Sequence, residues 1–432
     1  MDNRLKIAVI GGGSSYTPEL IEGFIRNYET FPVREIVLID IQQGKHKLSI
    51  VGQLAERMIE ASGLPIDLKL TLNRRSALKG ASFVLTQLRV GLLEARGWDE
   101  TIPLRYDFLG QETTGAGGMM KALRTIPALL DICKDMEELC PDAWLLNFTN
   151  PAGMVTEAIL KHTKIRSIGL CNSPLAAYKW LSSLYRAGQD RIECEFVGLN
   201  HLHWISRITI DGESKLEELL GGGASYSASN VPQLGWNEEL IRSLGAIPSY
   251  YLKYFYLHRE MLADQKAAAA KGESRAETVK RLEDELFELY KDPELKEKPK
   301  QLEQRGGAYY SEAAVNLMNA LYNDTGDIQT LNVRNDGALP FLPDDACIEV
   351  NCKVTKDGPI VQPVTTIPHA AVGLIQAVKA YEQLAIEAAV TGSRQTALLA
   401  LANHPLIDSV NAASAMLDEM LDRNKAYLPQ FF

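Results

Sequence analysis

Short apolar runs alternate with longer stretches of helical period through roughly the first 170 residues. The pattern predicts strands at 6–10, 35–41, 67–72, 82–88, 143–148 and 167–171, with helices at 18–28, 45–61, 122–139 and 152–162. Runs such as IAVI and IVLI carry no polar alternation, as expected of parallel strands covered on both faces. Six strands with helices between them fit a doubly wound, Rossmann-type α/β sheet. Right-handed crossovers then bring every strand's C-terminal end to one edge, where open α/β sheets bind ligands.

Beyond residue 172 the pattern changes. Strands are predicted at 192–197, 203–210, 330–333 and 347–354, and helices at 249–270, 275–291, 309–323, 371–390, 394–402 and 408–422. This divides the 432 residues into a nucleotide-binding domain, 1–172, and an α+β domain, 173–432. The glycine- and serine-rich stretch 221–229 reads as a mobile surface loop. A net charge of −10 argues against a nucleic-acid partner but leaves room for a small anion held by a few arginines. The six cysteines are scattered, no apolar run is long enough for a membrane span, and the N-terminus enters a strand without a leader pattern. A cytoplasmic protein with reduced thiols is expected.

Candidate chemistry begins after the first strand, at Gly11-Gly12-Gly13-Ser14-Ser15. Glycines there let the backbone approach a pyrophosphate at a helix N-terminus. The third glycine of the usual fingerprint is missing, and a tight turn without ligand would look similar. Asp40, ending the second strand, supplies the acidic partner for an adenosine ribose and disfavours a 2′-phosphate, so NAD is the expected dinucleotide. Polar clusters follow the later strands: Arg89 and Arg96; Gln111-Glu112-Thr113; Asn147 to Asn150-Pro151; Cys171-Asn172. His201 lies between two predicted strands. With Cys171 it offers an incomplete ligand shell that suits a catalytic divalent ion, although a buried structural histidine is the commoner case.

The motifs GGGSSYTPEL, TQLRVGLLEAR, LGQETTGAGG, LLNFTNPAGMVTEA, GLCNSP and GLNHLHW, in this order, resemble the NAD- and metal-dependent family 4 glycosidases. IPSYYLKYFY, GESRAETV and EQRGGAYYSEAA extend the resemblance over nearly the whole chain, with the 6-phospho-β-glucosidase branch the most similar. The family is an exception to two-carboxylate glycoside hydrolysis. The resemblance implies a lactate/malate dehydrogenase-like Rossmann sheet and an α+β C-terminal domain. It also implies a redox route: NAD⁺ takes a hydride from C3 of the sugar, a base takes the C2 proton, the aglycone leaves C1, water adds, and the hydride returns. A divalent metal, expected to be Mn²⁺, polarises the C3 oxygen.

Position by position, the resemblance makes Cys171 and His201 the metal ligands and Tyr251 the C2 base, with Glu112 making that tyrosine more basic. Tyr250 is adjacent and competes for the same assignment. On spacing alone, both tyrosines could be one face of an amphipathic helix. Arg96, Asn150, Asn172 and Arg275 fall at substrate positions; Arg305 is a weaker phosphate candidate. Arginines suit a sugar 6-phosphate through their planar donor fork, although Glu273 and Glu277 could instead pair with Arg275. Asn172 stands where α-specific relatives carry an aspartic acid, and an amide cannot protonate a leaving group. β-Glycosides are therefore expected, cleaved by a homodimer or homotetramer. The competing reading is a hydroxy-acid dehydrogenase of the malate/lactate type.

Overall fold

The computed structural model describes residues 5–228, 231–305 and 309–432. The predicted Rossmann core is present. Strands β1 (Leu5–Ile10), β2 (Val33–Ile39), β3 (Asp67–Thr71), β4 (Phe83–Thr86), β5 (Trp144–Asn147) and β6 (Ser167–Gly169) are mutually parallel, in the order β3-β2-β1-β4-β5-β6. The two halves diverge from β1 and β4, so a crevice opens above their C-terminal ends. Helices α1 (Thr17–Arg26), α2 (Lys45–Ser62), α3 (Arg74–Leu78), α4 (Leu92–Thr101), α5 (Gly115–Leu139) and α6 (Ala152–His162) connect the strands.

Two helices depart from expectation. The α4 segment was not foreseen, and α5 starts well before residue 122. The reason lies in its glycines. A Cβ on Gly117 would lie 2.4 Å from the Gln111 carbonyl oxygen, and one on Gly118 would lie 2.5 Å from the Thr113 carbonyl carbon. Glycine in this first turn lets the helix pack directly on the loop that carries Gln111, Glu112 and Thr113.

Beyond α7 (Ser173–Tyr185), strands β7 (Ile192–Leu199) and β8 (Leu202–Ile210) form an antiparallel hairpin, with β9 (Glu213–Ser214) and β10 (Ile247–Pro248) along β8. Strands β11 (Ile328–Arg334), β12 (Cys347–Thr355) and β13 (Gly358–Val361) do not stay with them. They extend the first sheet antiparallel beyond β6, giving nine strands. The expected boundary at 172 is thus crossed by a continuous sheet. Asn351 of β12 ties the two sheets together: it accepts from Phe196 N at 2.8 Å and donates to Cys194 O at 3.0 Å. The predicted helix at 249–270 is divided into a 3₁₀ turn at 250–252 and helices Lys253–Tyr256 and His258–Ala270. Tyr226, in the stretch expected to be a mobile loop, is buried, with its hydroxyl 3.1 Å from His203 Nε2. Burying an aromatic ring outweighs the flexibility of its glycine and serine neighbours. Ser229 of that stretch is outside the described residues.

Candidate active site

A cavity of about 1320 Å³ occupies the crevice, bounded by the loops after β1, β2, β4, β5 and β6. At one end Gly11, at φ +83°, packs where a Cβ would lie 2.9 Å from the Gln87 backbone. Asp40 lies just past β2. Its Oδ2 accepts from Gly13 N at 2.9 Å, and a Cβ on Gly13 would meet that oxygen at 2.7 Å. The backbone is therefore laid against the carboxylate, an arrangement only glycine fits. Gly11, Gly13, Ser14 and Asp40 line the cavity. Gly12 and Ser15 shape the loop from behind. Gly12 packs on Leu38, and the Ser15 carbonyl accepts from the Tyr290 hydroxyl at 2.7 Å. This cradle fits the pyrophosphate and ribose of a dinucleotide.

The other end gathers Arg96, Glu112, Asn150, Cys171, Asn172, His201, Tyr251 and Arg275 onto the same cavity. They come from segments far apart in sequence. Asn150, joined to Pro151 by a cis peptide, follows β5, and Cys171-Asn172 follow β6. His201 sits at φ +62° in the tight turn between β7 and β8. Arg275 opens the helix Arg275–Tyr290 behind a Ser274/Glu277 capping box. Tyr251 stacks on the His201 ring, with centroids 3.8 Å apart and planes at 16°. Tyr250 turns away, edge-on to Tyr226, and does not line the cavity. The two tyrosines thus have different environments, where helical spacing alone suggested a common face. The side chain of Arg305 lies outside the described residues.

Glu112 is the centre of a buried charge cluster. Arg89 donates to it, Lys121 Nζ lies 2.9 Å from Oε2, and Arg96 Nη1 lies 3.3 Å from Oε1. Burial by itself would raise the carboxyl, but the three cations outweigh burial and hold it well below the usual range. Arg96 also donates to Glu100 at 2.7 Å, and Glu100 accepts from Ala276 N at 2.6 Å, which couples the cluster to the helix carrying Arg275. Burial and repulsion from Arg89 push the Lys121 ammonium down to about 7, despite attraction by Glu112. Sequence reasoning missed Lys121. Its signal was one cation in the otherwise uncharged stretch GAGGMMKAL.

Burial pushes the His201 imidazole down to about 4, so it is neutral and able to ligate a metal. Burial and the nearby Glu349 carboxylate push the Cys171 thiol up; a bound cation reverses that trend. Among the described residues no group of three or more His, Cys, Asp or Glu forms a metal shell. A two-ligand site facing a cavity leaves positions for substrate oxygens and water, so the donors fit a catalytic divalent ion. Behind them is a network not foreseen from the sequence. Glu349 accepts from His203 Nδ1 at 2.5 Å and from the amides of Asn200 and Asn332, each at 3.0 Å. Its signal was a charged residue in the buried strand CIEVNC.

The model of the family 4 glycosyl hydrolases matches residues 6–186, and that of the family's C-terminal domain matches residues 196–407. The chain belongs to the family 4 glycosyl hydrolases. This family 4 chain is 51% identical over 437 residues to a probable 6-phospho-beta-glucosidase of Bacillus subtilis, covering 100% of this chain and 99% of the relative. It is 47% identical to the 6-phospho-beta-glucosidase of Escherichia coli over 439 residues, covering 100% and 98%. The 6-phospho-beta glucosidase of Thermotoga maritima, solved with manganese, NAD⁺ and glucose-6-phosphate, superposes with a TM-score of 0.89 at 33% identity, over 98% of this chain and 99% of that one. A lactate dehydrogenase of Eimeria maxima superposes at 0.56 with 14% identity over 91% of this chain and 97% of that one, a likeness of fold alone.

Proposed function

We propose that this chain is an NAD- and divalent-metal-dependent 6-phospho-β-glucosidase acting on substrates such as cellobiose 6-phosphate. The observation that carries the reading is the single cavity. It joins a glycine cradle with its acidic partner to Cys171, His201, Tyr251 and a cation-rich cluster. A hydroxy-acid dehydrogenase has no use for that second set. When bound, NAD and a divalent ion, expected to be Mn²⁺, supply reversible oxidation at C3 and Lewis acidity toward its oxygen.

Gly11, Gly13, Ser14 and Asp40 hold the dinucleotide, with Gly12 and Ser15 keeping the loop in shape. Cys171 and His201 hold the ion. Tyr251 takes the C2 proton, its ring fixed by the stack on His201; a phenol of ordinary pKa near ~10 needs an adjacent cation to do so at neutral pH. Glu112, kept anionic by its three cations, orders Arg96 and Lys121 and biases the field around the base. Arg96 and Arg275 receive the 6-phosphate, and Asn150 spans sugar hydroxyls with its amide. Asn172 offers no proton to a leaving group, in keeping with β-glycosides. We further propose a cytoplasmic homodimer or homotetramer; six free thiols suit a reducing compartment.

Release of p-nitrophenol from its β-glucoside 6-phosphate tests the reading. Turnover is expected only with both NAD⁺ and Mn²⁺, without net NADH, and on the β but not the α anomer. Absence of release, with NADH accumulating on lactate or malate, would return the chain to the dehydrogenases.

A further inference from the structure

The loop before α5 fixes a chain of hydrogen-bond directions that ends at His201. Gln111 Oε1 receives the backbone N–H groups of Thr113 and, at 2.9 Å, Thr114. A backbone N–H only donates, so the Gln111 atom at this point is the carbonyl oxygen, which only accepts. The Thr113 hydroxyl lies 2.8 Å from the same oxygen and spends its one hydrogen there. Thr113 Oγ1 is also 2.9 Å from His201 Nδ1. With its hydrogen committed, the hydroxyl can only accept at that contact. Nδ1 therefore carries a hydrogen, and Nε2 is left as the ring nitrogen with a lone pair.

We infer that Gln111 and Thr113 are positioning residues that select the Nδ1–H tautomer of His201 and so present Nε2 for ligation. The relay is rigid at each end. Gln111 and Thr113 lie on the loop packed against the glycine turn of α5. The His201 ring plane is set by its stack on Tyr251. A metal-bound imidazole gains basicity and orientation when its other nitrogen donates to a fixed acceptor, and losing such a partner typically lowers metal affinity about 10–100-fold. The consequence for a metal rests on the function proposed above; the tautomer itself does not.

Two readouts test the inference. The first is ¹⁵N NMR of histidine-labelled, metal-free protein, with the His201 signals assigned by loss in His201→Asn. The chain as found is expected to show Nδ1–H. Thr113→Val, which keeps the shape and removes the acceptor, is expected to shift His201 toward Nε2–H, while Thr113→Ser retains Nδ1–H. The second is Mn²⁺ affinity from the electron paramagnetic resonance signal of free Mn²⁺. Thr113→Val is expected to bind about 10–100-fold more weakly, with Thr113→Ser close to the parent and NAD⁺ affinity unchanged in both. Thr113→Ala carries the same tests should Thr113→Val not fold. A Thr113→Val protein with the parent's tautomer and Mn²⁺ affinity would overturn the inference. A parent that binds no Mn²⁺ would instead remove the metal from the proposed function, and the NMR result would still decide the tautomer.

Discussion

Two buried charge clusters lie in this molecule, and they are built differently. In the first, Lys379 Nζ is 2.7 Å from Glu157 and 2.5 Å from Glu382, and Lys161 is 2.8 Å from Glu157. Two cations meet two carboxylates, and Glu157 also accepts from Cys347 N at 2.8 Å. This balanced cluster fastens α6 to β12 and to helix His369–Thr391. In the second, Arg89, Arg96 and Lys121 share Glu112 and Glu100 beside the cavity. Three cations face two carboxylates, with Arg275 on the same cavity wall. A surplus of buried positive charge is unfavourable in isolation and is offset when an anion enters. The balanced cluster serves the fold, and the unbalanced one awaits a phosphorylated substrate.

Exchanging single members would break this comparison if it is wrong. The largest effects are expected from a reciprocal pair. Lys379→Met strands two buried carboxylates and is expected to cost about 3–5 kcal/mol in denaturant-measured stability, with kcat/KM of the folded enzyme nearly unchanged. Arg96→Met is expected to lower kcat/KM on a sugar 6-phosphate by about 100–1000-fold, since removing one member of a buried charge pair costs roughly 2–5 kcal/mol, while stability falls by less than for Lys379→Met. Similar losses of stability and activity in both variants would erase the distinction.

A smaller effect sharpens it. Lys121 binds its proton less tightly in the folded chain, near 7, than at its ordinary 10.5. The unfolded chain holds more protons between those values. Lys121's unfavourable contribution is therefore fully present below about pH 7, and stability rises as pH increases from 7 toward 10.5. An arriving phosphate favours the charged ammonium, so glucose 6-phosphate binding near neutral pH is expected to take up a fraction of a proton. Calorimetry in buffers of different ionisation enthalpy would measure it. Lys121→Met is expected to abolish the uptake without loss of stability; uptake that persists would place the titrating group elsewhere.

The contrast also marks what could be read before folding. The glycine turn, Asp40 and the first six strands were legible because each signal lies in consecutive residues. Cys171, His201 and Tyr251 could be singled out only through the family resemblance, since their meaning depends on elements that meet in space. Lys121 and Glu349 were hidden because a charge within an apolar segment names no partner. The extension of the sheet by β11, β12 and β13 was hidden for a related reason: period two marks a strand but not its neighbour. Glycine had two readings, and at Gly117 and Gly118 close packing, not a loop, was the correct one.

The central claim is that one cavity couples the dinucleotide cradle to a tyrosine that takes a proton from sugar carbon. Turnover of a 6-phospho-β-glucoside in D₂O, with mass spectrometry and NMR of the glucose 6-phosphate released, tests it most directly. Deuterium at C2 without net NADH, with turnover and label both lost in Tyr251→Phe, is the expected result. Product released at full rate with C2 unlabelled would contradict it, because the glycosidic bond would then break without the proton transfer for which this cavity is arranged.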